Sequence, residues 1–224
     1  VDPDLLTTAP QRVAASAGMD ALTHLIEGYL STGAQAITDA LALRGIRLLW
    51  QALHRLADCF RGRLASLHPD TYEQLALTSL WGGIVLANAG LGAVHGVVAP
   101  LGGLCNVAHG DGCACLLPAT FRVNAQALLS RQPHSPARAR LGEIVQLLTD
   151  GSDDVDAAVE RLASLRKDLG ILGLADQGAG GGDATVVYRR GEVPGLDEPL
   201  LGPRRNRVLA ACRQDPGAGE QEVQ

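Results

Sequence analysis

The stretch GMDALTHLIEGYLS, residues 18–31, is the part of this sequence that decides the local fold and suggests a chemistry. Its apolar residues recur every three or four positions, which predicts an amphipathic helix over 13–29. At about 100° per residue, Asp20, His24 and Glu27 share one face of that helix. A carboxylate and an imidazole four residues apart lie one above the other and can hold a single ion. Such a pair alone is more often an ordinary solvated helix face.

Helical spacing continues along most of the chain. The sequence is 46% hydrophobic but only 3% aromatic, and its richness in Ala and Leu favours helix over strand. We therefore predict an all-α domain, an array of about seven helices over residues 1–175. Further helices are expected at 37–60, 70–91, 113–129, 136–148 and 153–169, with Asp70 or Thr71 capping the second of these and Asp153 or Asp154 the last.

Bulk composition excludes several function classes. The chain has 224 residues and a formal net charge of −5, which gives no basic surface for nucleic acid or an anionic membrane. We find no apolar run of roughly 18 to 20 residues and no signal peptide. Five cysteines at irregular spacing indicate free thiols in a reducing compartment, so we expect a cytoplasmic protein without membrane or nucleic-acid partners.

A glycine-dense segment, residues 90–112, follows the third predicted helix. So many glycines predict tight turns and close approaches of the backbone. His95 and His109 lie in this segment, and each is followed by glycine. With Asp20 and His24 they form a one-oxygen, three-nitrogen set that suits zinc or ferrous iron with one position open. From residue types alone, two ordinary histidines near a turn remain the more frequent interpretation.

Other candidate ligands are weaker. Cys113 and Cys115 have no second cysteine pair to match them, so we interpret them as small packing residues rather than a closed zinc site. His54, His68 and His134 stand in polar or loop-like contexts, and we predict that they lie on the surface.

Three segments together resemble the iron-containing alcohol dehydrogenases. They are GMDALTHLIEGYLS (18–31), LANAGLGAVHGVVAPLGG (86–103) and AHGDGCACLLP (108–118). The first resembles the family's Met-Asp-Ala-Leu-Thr-His signature, and the others resemble its two His-Gly segments. The likeness extends over roughly residues 1–175 in consistent order, which makes it far more specific than any one motif.

The resemblance implies a fold, a site and a reaction. The fold would be the all-α, C-terminal domain of these enzymes, which is shared with dehydroquinate synthase-like proteins. The family's metal ligands fall on Asp20, His24, His95 and His109. A divalent metal, ferrous iron first and zinc second, would act as a Lewis acid on the alcohol oxygen while NAD(P) accepts hydride. The expected substrate is a small alcohol or aldehyde, and the resemblance leaves a homo-oligomer open.

The sequence departs from the family in three respects. The family's N-terminal nucleotide-binding domain is absent from these 224 residues. Many members carry a histidine at the position of Ala99, and alanine cannot relay a proton. Residues 176–224 lose the helical period and are rich in Gly and Pro, so we expect a divergent, poorly ordered tail.

Two alternative functions stay open from the sequence. One is a metal-dependent lyase or synthase on the same architecture, but a phosphate-bearing substrate calls for basic residues near the site, and no Lys or Arg lies between Glu73 and Phe121. The other is a non-catalytic, truncated remnant that binds metal or a partner subunit. The missing domain favours that reading, and the intact ligand set disfavours it.

Overall fold

The structure is a computed structural model that describes residues 1–132 and 134–178, without the side chain of Leu104. All regular secondary structure in this part of the chain is helical, which confirms the predicted all-α class. A short 3₁₀ helix (Pro3–Thr8) leads into seven α-helices. They are α1 (Gln11–Leu30), α2 (Ala36–Phe60), α3 (Pro69–Ala89), α4 (Ala93–Cys105), α5 (His109–Arg131), α6 (Ala137–Thr149) and α7 (Val155–Asp168).

The first helix, α1, is the central element of the array. It packs against α2, α3 and α5, and more lightly against α4 and α6. Its apolar side chains Met19, Leu22 and Leu25 are 0% exposed. Burying each such side chain contributes roughly 1.5–3 kcal/mol, so packing fixes the position of α1. Its polar residues Asp20 and His24, which are only half-buried, are held in place by this core.

The glycine-dense segment differs from its prediction. The sequence predicted tight turns and close backbone approaches, but 13 of these residues form α4 instead of turns. Turns are confined to the two ends of that helix, where Gly90 has φ of 76° and Asn106 has φ of 54°. Glycine lowers helix propensity by only about 1 kcal/mol, and burial of Val94, Val97 and Val98 outweighs that cost. Tertiary packing therefore overrides local propensity here.

Of the two N-terminal helix caps predicted from the sequence, the cap of α7 is observed and the cap of α3 is not. Asp154 caps α7 as predicted, because its carboxylate accepts hydrogen bonds from the backbone N–H groups of Asp156 and Ala157 at 2.9 and 3.2 Å. For α3, the prediction of Asp70 or Thr71 was wrong. The cap is His68, whose ring nitrogen accepts from the backbone N–H of Asp70 at 3.3 Å.

A polar junction joins α6 to α1 and α2. The Arg140 guanidinium donates to both carboxylate oxygens of Asp39 and to the backbone carbonyl of Tyr29. The Tyr29 hydroxyl donates to Glu143. Burial, with the adjacent Glu143 carboxylate, raises the pKa of Tyr29 to about 12. This junction holds the far end of α1 in place.

Two further expectations concern the tail and membranes. Most of the predicted tail, residues 179–224, lies outside the described residues. Within the described part, no single helix is long and apolar enough to cross a membrane. Helix α3 and most of α4 (93–103) reach that length and hydropathy only as a pair, across a bend of 103°.

Candidate metal centre

Three helices bring the predicted ligands together at one place. Asp20 and His24 lie one turn apart on α1, His95 lies in the first turn of α4, and His109 is the first residue of α5. The two helix starts face the middle of α1 because α5 packs against both α1 and α4. All four residues that the sequence singled out therefore meet.

The three imidazoles surround a single carboxylate oxygen. From Asp20 Oδ1, the distance is 3.3 Å to His95 Nε2, 3.5 Å to His109 Nε2 and 3.8 Å to His24 Nε2. The ring of His24 stacks on that of His95, with centroids 4.6 Å apart and planes inclined by 19°. The ring of His109 is tilted against that of His95, with centroids 5.4 Å apart.

Glu27 fixes the orientation of His95. His95 Nδ1 donates to Glu27 Oε2 at 2.8 Å. A carboxylate only accepts, so Nδ1 carries a proton, and Nε2 is the nitrogen that faces Asp20. Sequence reasoning placed Glu27 on the right helix face but gave it no role. It is the partner that holds the imidazole tautomer.

The same carboxylate caps α4. Glu27 accepts hydrogen bonds from the backbone N–H groups of Gly92 at 3.1 Å and Val94 at 2.7 Å. A negative charge at a helix N-terminus satisfies free N–H groups and complements the helix dipole. A Cβ at position 92 would lie 2.6 Å from Glu27 Oε1, so any larger residue there would displace this carboxylate. One carboxylate thus positions both the helix and the histidine on it.

His109 reaches the cluster because α5 comes very close to α1. A Cβ at Gly110 would lie 2.4 Å from the backbone oxygen of Ser16, so only glycine fits there. The His109 side chain is 50% exposed, whereas that of His95 is 7% exposed. The cluster therefore opens to the surface on the His109 side.

Cys113 packs in the hydrophobic core, as predicted, and it also belongs to the cluster. Its Sγ lies 3.7 Å from His95 Nε2, and the residue is 0% exposed. Among the described residues, one ligand atom each from Asp20, His95, His109 and Cys113 lie within 4.8 Å of one another. His24 is outside this tightest group, although its Nε2 is near Asp20. The signal in the sequence was the four-residue spacing of His109 and Cys113.

The charges of the site favour a cation. Burial opposes protonation of His95, but hydrogen bonds to Asp20 and Glu27 and their negative charge outweigh it and raise the pKa of His95 to about 9. Burial also opposes ionisation of Asp20, yet the hydrogen bond from His95 and the nearby His24 lower the pKa of Asp20. Two carboxylates thus draw positive charge to the centre of the cluster.

The donor set fits a divalent metal. Four ligands at about 2.1 Å from a tetrahedral ion lie about 3.4 Å from each other. The separations of 3.3, 3.5 and 3.8 Å between Asp20 Oδ1 and the three imidazole nitrogens are close to this value. One carboxylate and three imidazoles suit zinc or ferrous iron.

The remaining histidines are not at the site. His68 and His134 are exposed, as predicted. The prediction for His54 was wrong, because its ring packs edge-on against Trp50 with centroids 4.7 Å apart. Its Nε2 is buried and has no hydrogen-bond partner among the described residues. Position 54 follows the buried Trp50 by one turn of α2, which turns it inward.

Comparison with characterised proteins identifies relatives with the same helical domain. The chain is 36% identical over 171 residues to "Lactaldehyde reductase" of Escherichia coli (strain K12), which covers 76% of this chain and 42% of that protein. It is 37% identical over 174 residues to "1,3-propanediol dehydrogenase" of Citrobacter freundii, again covering 76% and 42%. The chain thus spans less than half the length of these curated relatives.

Solved structures of alcohol dehydrogenases also align with most of this chain. A crystal structure of 1,3-propanediol oxidoreductase aligns with a TM-score of 0.71 and 31% identity, covering 95% of this chain and 54% of that one. "Alcohol dehydrogenase from Oenococcus oeni" aligns with a TM-score of 0.74 and 25% identity, covering 95% and 54%. The sequence model "Fe-containing alcohol dehydrogenase family, C-terminal" matches residues 14–187. This chain belongs to the iron-containing alcohol dehydrogenase family, and the matched region is the family's C-terminal domain.

Proposed function

We propose that this chain is the metal-binding half of an NAD(P)-dependent alcohol dehydrogenase, with Asp20, His24, His95 and His109 holding one divalent ion. The observation that supports this most directly is the arrangement of three imidazole nitrogens at 3.3 to 3.8 Å around one oxygen of Asp20. Family membership adds the class of reaction, since members are oxidoreductases. Neither argument depends on the other.

The family name favours ferrous iron as the ion, and the ligand types also accept zinc. When bound, the ion would serve as a Lewis acid for an alcohol oxygen. Glu27 keeps His95 Nε2 directed at the ion position, and Asp20 supplies one negative charge. The half-exposed His109 marks the side from which a substrate oxygen would enter.

The proposed reaction is the interconversion of an alcohol and an aldehyde. A bound nicotinamide cofactor would accept a hydride from the alcohol carbon, and the alcohol oxygen would lose a proton. Ala99 lies exposed one turn after His95 on α4 and carries no group that could relay this proton. We therefore expect the proton to leave directly to solvent on the open side of the site.

Substrate and cofactor are inferred from relatives. The names lactaldehyde reductase and 1,3-propanediol dehydrogenase point to small hydroxylated alcohols and aldehydes. Because the chain spans 42% of these relatives, binding of NAD(P) by a separate nucleotide-binding region is part of the proposal. Assembly into a homo-oligomer stays a prediction.

A chimera tests the function. Residues 1–178 of this chain would replace the corresponding half of the E. coli lactaldehyde reductase, and NADH oxidation with lactaldehyde would be measured. We expect activity that requires a divalent metal and is abolished by His95→Ala. A folded chimera that binds metal and NADH but transfers no hydride would contradict the proposal. That outcome would instead support the alternative, a non-catalytic remnant that binds metal or a partner subunit.

A further inference from the structure

Cys113 is a buried thiol that the proposed reaction does not use. It lies on α5 one turn after His109, so both side chains point to the same face of that helix. Its Sγ is 3.7 Å from His95 Nε2 and lies within 4.8 Å of a carboxylate oxygen of Asp20. A packing residue alone would need neither contact.

The position of the sulfur matches that of a metal ligand. With a metal–sulfur distance of about 2.3 Å and a metal–nitrogen distance of about 2.05 Å, tetrahedral ligands lie about 3.6 Å apart. The observed separation between Cys113 Sγ and His95 Nε2 is 3.7 Å. Among the described residues, Cys113 also belongs to the tightest group of potential ligands, together with Asp20, His95 and His109.

We propose that Cys113 is itself a ligand of the bound ion, and that this sulfur makes the site select zinc over ferrous iron. The inference rests on the proposed metal site and changes its composition. Thiolate is a soft ligand that favours zinc over harder alternatives. When the metal binds, the S–H bond breaks, a sulfur–metal bond forms and the proton passes to solvent.

A sulfur ligand also changes the charge of the site. A divalent ion held by Asp20 and neutral imidazoles keeps one net positive charge, whereas a second anionic ligand makes the first shell neutral. A neutral centre attracts a developing negative charge on oxygen less strongly. We therefore expect this chain to hold its ion more tightly, and to polarise an oxygen less, than a site built from Asp20 and three histidines alone.

Cobalt(II) substitution tests the assignment without an activity assay. The intact chain loaded with cobalt should show a thiolate-to-cobalt charge-transfer band in the near ultraviolet. Cys113→Ala should lose this band and still bind cobalt, whereas Cys115→Ala should keep it. Cys115 is a matched control because it lies two residues along α5 and its thiol donates instead to the backbone oxygen of Leu172, at 3.2 Å.

Zinc provides a second set of measurements, of which the first needs no variant. X-ray absorption at the zinc edge should show one sulfur scatterer at about 2.3 Å. Zinc affinity should fall at least about tenfold in Cys113→Ala, since even loss of an outer partner of a ligand costs roughly 10–100-fold. The preference for zinc over ferrous iron in competition should narrow in the same variant.

The outcomes separate this inference from the proposed function. Cobalt bound without a charge-transfer band, in a chain where His95→Ala abolishes binding, would overturn the role of Cys113 and leave the proposed metal site intact. Failure of the unsubstituted chain to bind cobalt or zinc would overturn both. A sulfur scatterer that is lost only in Cys113→Ala supports the proposal.

Discussion

Glu27 and His95 are 68 positions apart in the chain, yet His95 Nδ1 donates to Glu27 Oε2 at 2.8 Å. This contact ties the central helix α1 to the start of α4. It also fixes which nitrogen of His95 is free to face Asp20, so the geometry of the site depends on a residue that is not a ligand.

Glu27→Gln should weaken metal binding by roughly 10–100-fold. Glu27 Oε2 accepts hydrogen bonds from Gly92 N–H and His95 Nδ1. In glutamine an amide NH₂ group, which can only donate, would face these two donors, so the orientation of His95 would be lost. Titration of zinc by isothermal calorimetry measures the change. Glu160→Gln, at an exposed position on α7, should bind as the unsubstituted chain does. Equal affinity in all three proteins would contradict the role of Glu27.

Gly92→Ala should reproduce this defect through sterics alone. The added Cβ would meet Glu27 Oε1 at 2.6 Å, which forces the carboxylate away from α4. We expect weaker metal binding and a lower melting temperature. Gly83→Ala is the opposite case, because nothing lies within 4 Å of its added Cβ. It should stabilise the fold by roughly 0.5–1 kcal/mol. A destabilised Gly83→Ala would contradict the open space beside α3 at this position.

Arg140→Lys should destabilise the fold by about 1–2 kcal/mol in urea unfolding. Lysine keeps the charge but cannot donate to both Asp39 oxygens and to the Tyr29 carbonyl at once. The control Arg55→Lys changes an exposed contact to Gln74 and should shift stability by less than about 0.5 kcal/mol. Equal effects at the two positions would argue against a structural role for the α6 junction.

His54 should make the fold sensitive to mild acid. Burial, reinforced by the Arg161 charge, lowers the pKa of His54 in the folded chain. The unfolded chain takes up this proton near the ordinary pKa of about 6.5, so stability is full above that pH and declines as pH falls below it. His54→Phe should flatten the decline in free energy of unfolding between pH 7 and pH 5. His134→Gln, at an exposed position, should leave the slope unchanged, and an unaltered slope in His54→Phe would refute the assignment.

The sequence predicted the fold class, which the structure confirms, and it singled out four residues that the structure brings together. The period of α1 and the spacing of Asp20 and His24 are local properties, and local properties can be read from residue order. The family resemblance then linked His95 and His109 to them. The role of Glu27 could not be predicted from the sequence, because its partners Gly92 and Val94 are 65 and 67 positions away in the chain.

Cys113 was missed for a different reason. The helix that contains it was predicted to begin at position 113, but α5 begins at His109. With the first turn unrecognised, His109 and Cys113 did not count as neighbours on one helix face. Helix starts without a side-chain cap, as at Ala108, carry little signal in the sequence. The four-residue error in the predicted start of α5 is therefore the reason why Cys113 was not assigned to the cluster.

The most direct test of the central claim is the metal content of the chain purified without oxygen, measured by elemental analysis beside His95→Ala and the exposed-site control His134→Ala. We predict close to one equivalent of zinc or iron per chain, retained in His134→Ala and lost in His95→Ala. Substoichiometric metal that His95→Ala leaves unchanged would contradict the claim that Asp20, His24, His95 and His109 form a metal centre.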